Sequence, residues 1–220
     1  MKIATWNVER LKHKKDLEAI RQNCVKQNAD ILVLTETDRQ IDLDYQHIFS
    51  TPSLIEIAPT YYQPTEHRVS IFSRFPCVKV HDTHDKYTSL CVELETPWGN
   101  LHVYGTIMGI YGNREKSFRP DVEKQVSDIR NFANEGKHLC VVGDYNCSFC
   151  DNYYFTKWAR STLLNTFSDS ELVLLTSNAP ECIDHIAVSR EFLGARAWQV
   201  DEWNKDKKFS DHKGISVEFG

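Results

Sequence analysis

The sequence contains no apolar run approaching the roughly 18–20 residues that a helix needs to span a bilayer. Its N-terminal segment MKIATWNVER also lacks the apolar core of a secretory signal peptide, because charged side chains follow after only a few apolar positions. These absences exclude membrane insertion and argue against secretion. With 41% apolar and 26% charged residues, near the averages of globular proteins, we expect a soluble, cytoplasmic protein.

An even framework of cysteines is also missing. The seven cysteines are an odd number scattered through apolar segments, which argues against a small disulfide-bonded secreted domain. One C-x-x-C pair, Cys147 and Cys150, occurs in the segment CVVGDYNCSFC. A structural zinc site usually needs two such pairs, whereas a redox pair is compatible with this position. We predict that both cysteines pack around the strand and turn, and that the chemistry of this segment lies in Asp144 and Asn146.

A net positive charge is the third absence. The chain has 26 basic and 31 acidic residues, a net charge of −5, so its overall charge does not indicate nucleic-acid binding. Two short basic stretches occur, KHKK at 12–15 and KDKK at 205–208. We interpret both as solvated loops or helix ends.

The order of predicted elements indicates one α/β domain over residues 1–220, without a linker or repeat. KIATWNV predicts a strand, DLEAIRQNCVKQ a helix and DILVLTE a buried strand. Residues 45–110 predict a series of short antiparallel strands. Further helices are predicted from Pro120 and around 153–165, with strands at 138–144 and near 172–176, 183–188, 197–203 and 214–219. This order favours a β-sandwich flanked by helices over the alternative, a doubly wound parallel sheet.

Polar residues repeatedly lie at the ends of the predicted buried strands. A strand end fixes the backbone of such a residue while its side chain emerges at the sheet edge. Each one alone is also explained as a turn or cap residue, but together they offer oxygen ligands for Mg²⁺ or Mn²⁺, an amide and a carboxylate–imidazole pair. The residues are Asn7, Glu9, Glu36, Asp144, Asn146, Asp184, Asp211 and His212.

The motifs TWNVER, LTET, GDYN, IDHIAVS and FSDH, in this order, resemble those of the endonuclease/exonuclease/phosphatase superfamily, which includes DNase I-like and exonuclease III-like nucleases. The resemblance extends from Asn7 to His212. It implies a four-layer α/β/β/α sandwich with two central mixed sheets, and a divalent-metal site, Mg²⁺ or Mn²⁺, at one edge.

The resemblance also implies roles for the strand-end residues. Glu36 is expected as the principal metal ligand, with Asn7 and Asp211 in the metal and phosphate network and Glu9 as a further acidic residue of the metal site. Asp144 is expected to align the attacking water with help from Asn146. His212, oriented by Asp184, is expected to bind the scissile phosphate or to act as a general acid or base.

The sequence departs from the family pattern on one strand, LHVYGTIMGIYG, where relatives carry His or Tyr at a position that corresponds here to Thr106 or Ile107. We assign Thr106 to phosphate binding through one hydrogen bond, with Tyr104, Tyr111 or Asn113 as alternatives. Arg68 and its neighbour His67 precede a strand in a segment where relatives often contact phosphate. The alternative interpretation is that Arg68 and His67 lie at a solvated hairpin end. His185 alternates with Asp184 along its strand, so we interpret His185 as structural.

The leading hypothesis is a monomeric metal-dependent phosphodiesterase acting on nucleic acid, either DNA or RNA, because WNVER is closer to the nuclease branch. The negative charge and short chain favour the alternative, a phosphoesterase for small molecules or lipid headgroups. A further alternative is a binding protein that has kept the fold and lost turnover, which the Thr106/Ile107 departure leaves open.

Overall fold

A computed structural model describes residues 1–12, 16–136 and 138–220, in which the strands form two six-stranded sheets. The first sheet has the order β11-β12-β1-β2-β4-β3 and the second β5-β6-β7-β8-β10-β9. The strands of the first sheet are β1 (Lys2–Asn7), β2 (Ile31–Asp38), β3 (His47–Ser50), β4 (Glu66–Ser73), β11 (Trp198–Trp203) and β12 (Gly214–Phe219). Those of the second are β5 (Cys77–His81), β6 (Ser89–Thr96), β7 (Gly99–Ile107), β8 (Leu139–Asp144), β9 (Leu172–Leu174) and β10 (Asp184–Ser189).

Four α-helices are present in the described ranges: α1 (Leu17–Gln27), α2 (Phe118–Asn134), α3 (Lys157–Asp169) and the short α4 (Arg190–Leu193). Helix α2 begins two residues before the predicted start at Pro120, which lies in its first turn. Helix α3 begins later than predicted because Thr156 caps it, its hydroxyl accepting a hydrogen bond from the Ala159 N–H. No helix in the described part of the chain is long and apolar enough to cross a membrane.

The core has three apolar layers, which confirms the four-layer sandwich. Side chains such as Ile3, Val33, Val103 and Val142 fill the space between the sheets. Helix α1 covers the outer face of the first sheet, and α2 and α3 cover that of the second. Alternate residues of a buried strand therefore face the inter-sheet core and a helix layer, which explains the continuous apolar runs in the sequence.

The site lies at the edge where the two parallel strand pairs end. Strand β1 pairs in parallel with β2, and β7 with β8, while every other strand pairing described is antiparallel. This mixture excludes a doubly wound parallel sheet. The carboxyl ends of β1 and β8 place Asn7 and Asp144 at the same edge, one from each sheet.

Gly143 gives β8 a backbone conformation that other residues adopt only under strain, directly before Asp144. Its φ is +137°, and a Cβ atom there would lie 2.0 Å from the carbonyl oxygen of Thr106 on β7. We expect Gly143→Ala to lower the free energy of unfolding by about 2 kcal/mol or more, measured by urea unfolding. Gly99→Ala is the matched control, since Gly99 has φ +105° but no described atom within 4 Å of such a Cβ. Equal losses in both variants would contradict the role of the Thr106 contact.

Candidate active site

A hydrogen bond between the two sheets forms the centre of the site. Asn7 Nδ2 donates to Asp144 Oδ2 at 3.1 Å, and Asn7 Oδ1 accepts from the Glu9 N–H at 2.9 Å. The hydroxyl of Ser210 donates to the backbone oxygen of Asn7 at 2.6 Å. Asn7 is therefore fixed on both its side chain and its main chain, and its amide holds the Asp144 carboxylate in one orientation.

Asn146 supports the same carboxylate from the turn after β8. Its N–H donates to Asp144 Oδ1 at 2.8 Å, and its φ of +49° allows this tight turn. Its side-chain amide donates to the carbonyl oxygen of Met108 at 2.9 Å, and Asn113 Nδ2 donates to its backbone oxygen at 3.1 Å. Asn146 therefore links Asp144 to the loop after β7.

Asp184 and His212 form a buried pair beside Asp144. The antiparallel register of β8 and β10 places Asp184 directly opposite Asp144. His212 Nδ1 lies 2.6 Å from Asp184 Oδ2, and each of the three residues has a ligand-type atom within 4.8 Å of the others. The backbone oxygen of His212 accepts hydrogen bonds from the indole of buried Trp6 at 3.1 Å and from Asn204 Nδ2 at 2.7 Å. The imidazole is thus fixed through both its ring and its main chain.

The three groups shift each other's protonation. Burial raises the pKa of Asp144 to about 7, because the charged form loses its hydration and faces a second carboxylate, Asp184. Burial also disfavours a charged imidazole, but the carboxylates of Asp184 and Asp144 outweigh it and raise the pKa of His212 to about 10. His212 therefore carries a positive charge at neutral pH. An imidazolium at this position is suited to binding a phosphate oxygen.

Two further carboxylates, those of Glu36 and Asp211, line the same cavity as Asn7. Glu36, with a φ of +43°, interrupts β2 near its end, and its Oε2 lies 4.0 Å from Arg10 Nε. The side chain of Asp211 is mostly exposed, with Oδ1 3.5 Å from His212 Nε2. Glu9, predicted as a further acidic residue of the metal site, lines the smaller cavity, and its two oxygens accept hydrogen bonds from Lys12 Nζ and the Asp211 N–H, each at 2.8 Å. Glu9 thus positions the loop that carries Asp211.

These side chains surround two adjoining cavities. The first, of about 110 Å³, is lined by Asn7, Glu9, Lys12, Glu36, Ile107, Ile110, Gly112, Asp144, Asn146, Asp211 and His212. The second, of about 270 Å³, is lined by Asn146, Tyr153, Tyr154, Glu181, Ile183, Asp184, Asp211, His212 and Lys213. The structure therefore brings all eight strand-end residues singled out in the sequence to one place.

Thr106 and Arg68 do not line either cavity. Thr106 is buried on the α2 side of β7, where its hydroxyl contacts Gln125, whereas its neighbour Ile107 lines the smaller cavity. Strand alternation explains this, since adjacent residues face opposite sides. Arg68 is buried and donates to the hydroxyl of Tyr62 at 2.7 Å. His67 is buried as well, so neither residue lies at a solvated hairpin end.

The three residues proposed as alternatives to Thr106 lie in different parts of the structure. Tyr104 is buried and donates to Asp128, Tyr111 is exposed in the loop after β7, and Asn113 lines neither cavity but donates hydrogen bonds to Asn146 and to the hydroxyl of Tyr154. The structural interpretation of His185 is confirmed, because its ring lies within 3.2 Å of Thr176 Oγ1 and of the carbonyl oxygens of Cys147 and Cys182.

The cysteines form no disulfide: all seven are free thiols, and all are described residues. Cys147 is buried near Tyr145 in the layer between the second sheet and its helices, as predicted, whereas Cys150 is exposed. Burial raises the pKa of Cys147 to about 11, which keeps this thiol protonated at neutral pH.

Sequence reasoning missed two basic residues at the site. Lys12, which we interpreted as part of a solvated stretch, lines the smaller cavity, while residues 13–15 of that stretch lie outside the described ranges. Arg10 lies beside Glu36 and over the rings of Tyr61 and Tyr62. The positions of Lys12 and Arg10 both result from a left-handed turn at Glu9–Leu11, whose three residues have φ of 49–54°. The three-residue spacing between Glu9 and Lys12 was the sequence signal from which their ion pair could have been predicted.

Comparison with known proteins shows where this fold and these motifs occur. A model described as the Endonuclease/Exonuclease/phosphatase family matches residues 4–212. No curated protein sequence matches the chain.

Three similar solved structures share the fold at low identity. The 3′ phosphatase NExo from Neisseria, bound to a product DNA hairpin, is 20% identical, with 100% of this chain and 99% of that chain covered and a TM-score of 0.72. An AP endonuclease from Archaeoglobus fulgidus is 14% identical, with the same coverage and a TM-score of 0.72. An endonuclease/exonuclease/phosphatase from Beutenbergia cavernae is 16% identical, with 100% and 72% covered and a TM-score of 0.67.

Proposed function

Because the chain belongs to the endonuclease/exonuclease/phosphatase family, we propose that it is a divalent-metal-dependent phosphoesterase that hydrolyses phosphodiester bonds of nucleic acid. The observation that carries the proposal is the convergence of two groups at the edge shared by both sheets. The Asp144–Asp184–His212 cluster adjoins the smaller cavity, which Asn7, Glu36 and Asp211 also line. This arrangement offers a proton acceptor, a phosphate-binding cation and hard oxygen ligands together.

The donor set fits Mg²⁺ or Mn²⁺. Glu36, Asp211 and Asn7 offer carboxylate and amide oxygens around one small polar cavity, and such oxygens are the ligands these ions prefer. Glu36 is the principal ligand in this proposal, because both carboxylate oxygens of Glu9 already accept hydrogen bonds. A bound ion would offset the negative charge that develops on the phosphate oxygens.

The protein side chains have distinct tasks in this proposal. Asp144, held by Asn7 and Asn146, aligns the attacking water and accepts its proton, and burial raises the pKa of its carboxyl, which makes it a better proton acceptor than an exposed carboxylate. His212 binds a phosphate oxygen as an imidazolium. Asp184 accepts the Nδ1 hydrogen bond, which leaves Nε2 directed towards the substrate.

Tyrosines next to cationic side chains support a nucleic-acid substrate. Tyr153 lines the larger cavity, with the ammonium of Lys207 4.2 Å from its ring centre. On the Glu36 side, Arg10 lies 5.4 Å from the ring centre of Tyr61, which is 66% exposed. Bases stack on exposed aromatic rings while cations meet the phosphates, so such pairs suit a single strand. The NExo structure contains a DNA hairpin, so this fold accommodates DNA.

A small phosphate ester is the second candidate. The net charge of −5 favours it, because polynucleotides are repelled by an acidic protein. We propose a direct comparison of single-stranded DNA, duplex DNA, an abasic-site duplex, RNA and bis-p-nitrophenyl phosphate, each with Mg²⁺, Mn²⁺ or chelator. We expect metal-dependent cleavage of at least one polynucleotide. Hydrolysis of the small ester alone would support the second candidate, and no hydrolysis of any substrate would support a binding protein.

Glu36→Gln is expected to remove the stabilisation by Mn²⁺. If Glu36 is the principal ligand, Mn²⁺ should raise the Tm of the wild-type protein, since a ligand that binds only the folded state stabilises it. At a hundredfold excess over Kd the rise should be about 5–10 °C, and the variant should lose most of it. The control is Glu18→Gln on the exposed face of α1. A full Mn²⁺ response in Glu36→Gln would contradict the assignment.

A further inference from the structure

Two histidines and a glutamate meet on a part of the second sheet that the catalytic chemistry does not use. His81 ends β5, Glu93 lies in β6 and His102 lies in β7, so three adjacent strands each contribute one residue. Glu93 is directly opposite His102 in the β6–β7 register. His81 pairs with Cys91, two residues from Glu93, so all three side chains are on the same face of the sheet.

The distances between these side chains resemble those between ligands of one metal ion. Glu93 Oε2 lies 3.0 Å from His81 Nε2 and 3.5 Å from His102 Nε2. One ligand-type atom from each residue lies within 4.8 Å of the others. Tetrahedral zinc with bonds of about 2.0–2.1 Å separates its nitrogen and oxygen ligands by roughly 3.3–3.5 Å. Small side-chain rotations therefore suffice to bring the three atoms around an ion.

The surroundings hold these ligands in place. The side chains of His81, Glu93 and His102 are 9%, 15% and 5% exposed, so an ion could enter but would be largely enclosed. Asn100 Nδ2 donates to Glu93 Oε1 at 2.7 Å, which leaves Oε2 directed at the histidines. The Phe132 ring of α2 packs against both imidazoles, with centre distances of 5.8 and 6.1 Å.

We propose that His81, Glu93 and His102 form a zinc site separate from the catalytic site. Two imidazoles and one carboxylate suit Zn²⁺, whereas Mg²⁺ prefers oxygen ligands alone. His102 precedes Ile107 by five residues, about 16 Å along β7, and the two residues face opposite sides of the sheet. Zinc there would bind the edge strand β5 to β6 and β7 and stabilise the fold.

The test measures Zn²⁺ binding and Tm in a magnesium-free buffer with a non-chelating reductant. Wild-type protein is compared with Glu93→Gln, which can still accept hydrogen bonds but ligates poorly, and with His81→Asn. His84→Ala is the matched control, because His84 is hydrogen-bonded to Asp128 outside the cluster. Glu36→Gln is the control for the catalytic site. We expect zinc at a hundredfold excess over Kd to raise the Tm of wild type and both controls by about 5–10 °C.

In Glu93→Gln and His81→Asn, this rise and one equivalent of bound zinc should be lost. Loss in every cluster variant that folds supports the site, provided that His84→Ala retains both. An unchanged zinc response in either folded cluster variant would overturn the proposal, because the ion would then bind elsewhere. Absence of a zinc response in the wild-type protein would also overturn it and assign the cluster to hydrogen bonding alone.

If neither cluster variant folds, Co²⁺ bound to wild type must show a spectrum of nitrogen and oxygen ligands, and a thiolate band would overturn the proposal.

Discussion

Asp144→Asn is expected to lower kcat for phosphodiester hydrolysis about a thousandfold, with the Tm changed by less than about 4 °C. The loss follows because an amide cannot accept a proton from the attacking water. The fold is expected to persist, since asparagine has the same shape and its oxygen can still accept the 2.8 Å hydrogen bond from the Asn146 N–H, although its NH2 group cannot accept the hydrogen bond from Asn7 Nδ2. Steady-state kinetics on the cleaved substrate and a thermal melt measure the two quantities.

Asp128→Asn is the control for this substitution. Asp128 is also largely buried and accepts hydrogen bonds from the Tyr104 hydroxyl and the His84 N–H, but it lies on helix α2 and lines neither cavity. We expect it to change stability without a comparable change in kcat. If Asp144→Asn retained wild-type kcat, Asp144 would not be the group that activates water, and the proposed chemistry of the GDYN turn would be wrong.

His212→Ala is expected to lower kcat by about 10²–10³-fold, because it removes the cation placed to stabilise charge on the phosphate. The substitution also leaves Asp184 buried without its partner, which is expected to lower the Tm. His212→Asn separates the two effects, since the asparagine amide can replace the Nδ1 donor to Asp184 but cannot supply a cation. We therefore expect His212→Asn to recover Tm and not kcat.

His47→Ala on the edge strand β3 is the control for the loss of a histidine, and its kcat should equal that of wild type. Recovery of kcat in His212→Asn would show that His212 acts by position alone and would contradict its role as an imidazolium. Asp184→Asn should give a smaller loss than His212→Ala, because the ring remains but its orientation and charge are less well supported.

The sequence was most informative where a residue type and its place on a strand agreed. Asn7 and Asp144 each end an apolar strand run, so their emergence at a sheet edge was predictable, whereas their proximity depends on how the two sheets pack together. Thr106 was misassigned because the register at the end of β7 decides which neighbour faces the site, and an apolar run on a doubly buried strand does not reveal its faces.

The roles of charged residues near the turn after β1 were harder to predict. The carboxylate of Glu9 accepts hydrogen bonds from Lys12 Nζ and from the Asp211 N–H. The first partner depends on a left-handed turn, and the second lies on a loop that is 202 residues away in the chain. Such contacts are tertiary and leave no local pattern. The same holds for the His81–Glu93–His102 cluster, whose members are separated in sequence and meet only through strand register.

In the proposed mechanism, the rate of hydrolysis depends on the relative position of the two sheets, because the Asn7–Asp144 hydrogen bond joins them. The sheets are held together by apolar side chains, which tolerate small sliding motions with little loss of buried area, whereas a 3.1 Å hydrogen bond does not. A displacement of about 1 Å can cost a factor of about 100 in rate. Substitutions deep between the sheets, far from any phosphate, should therefore reduce turnover well before they unfold the protein.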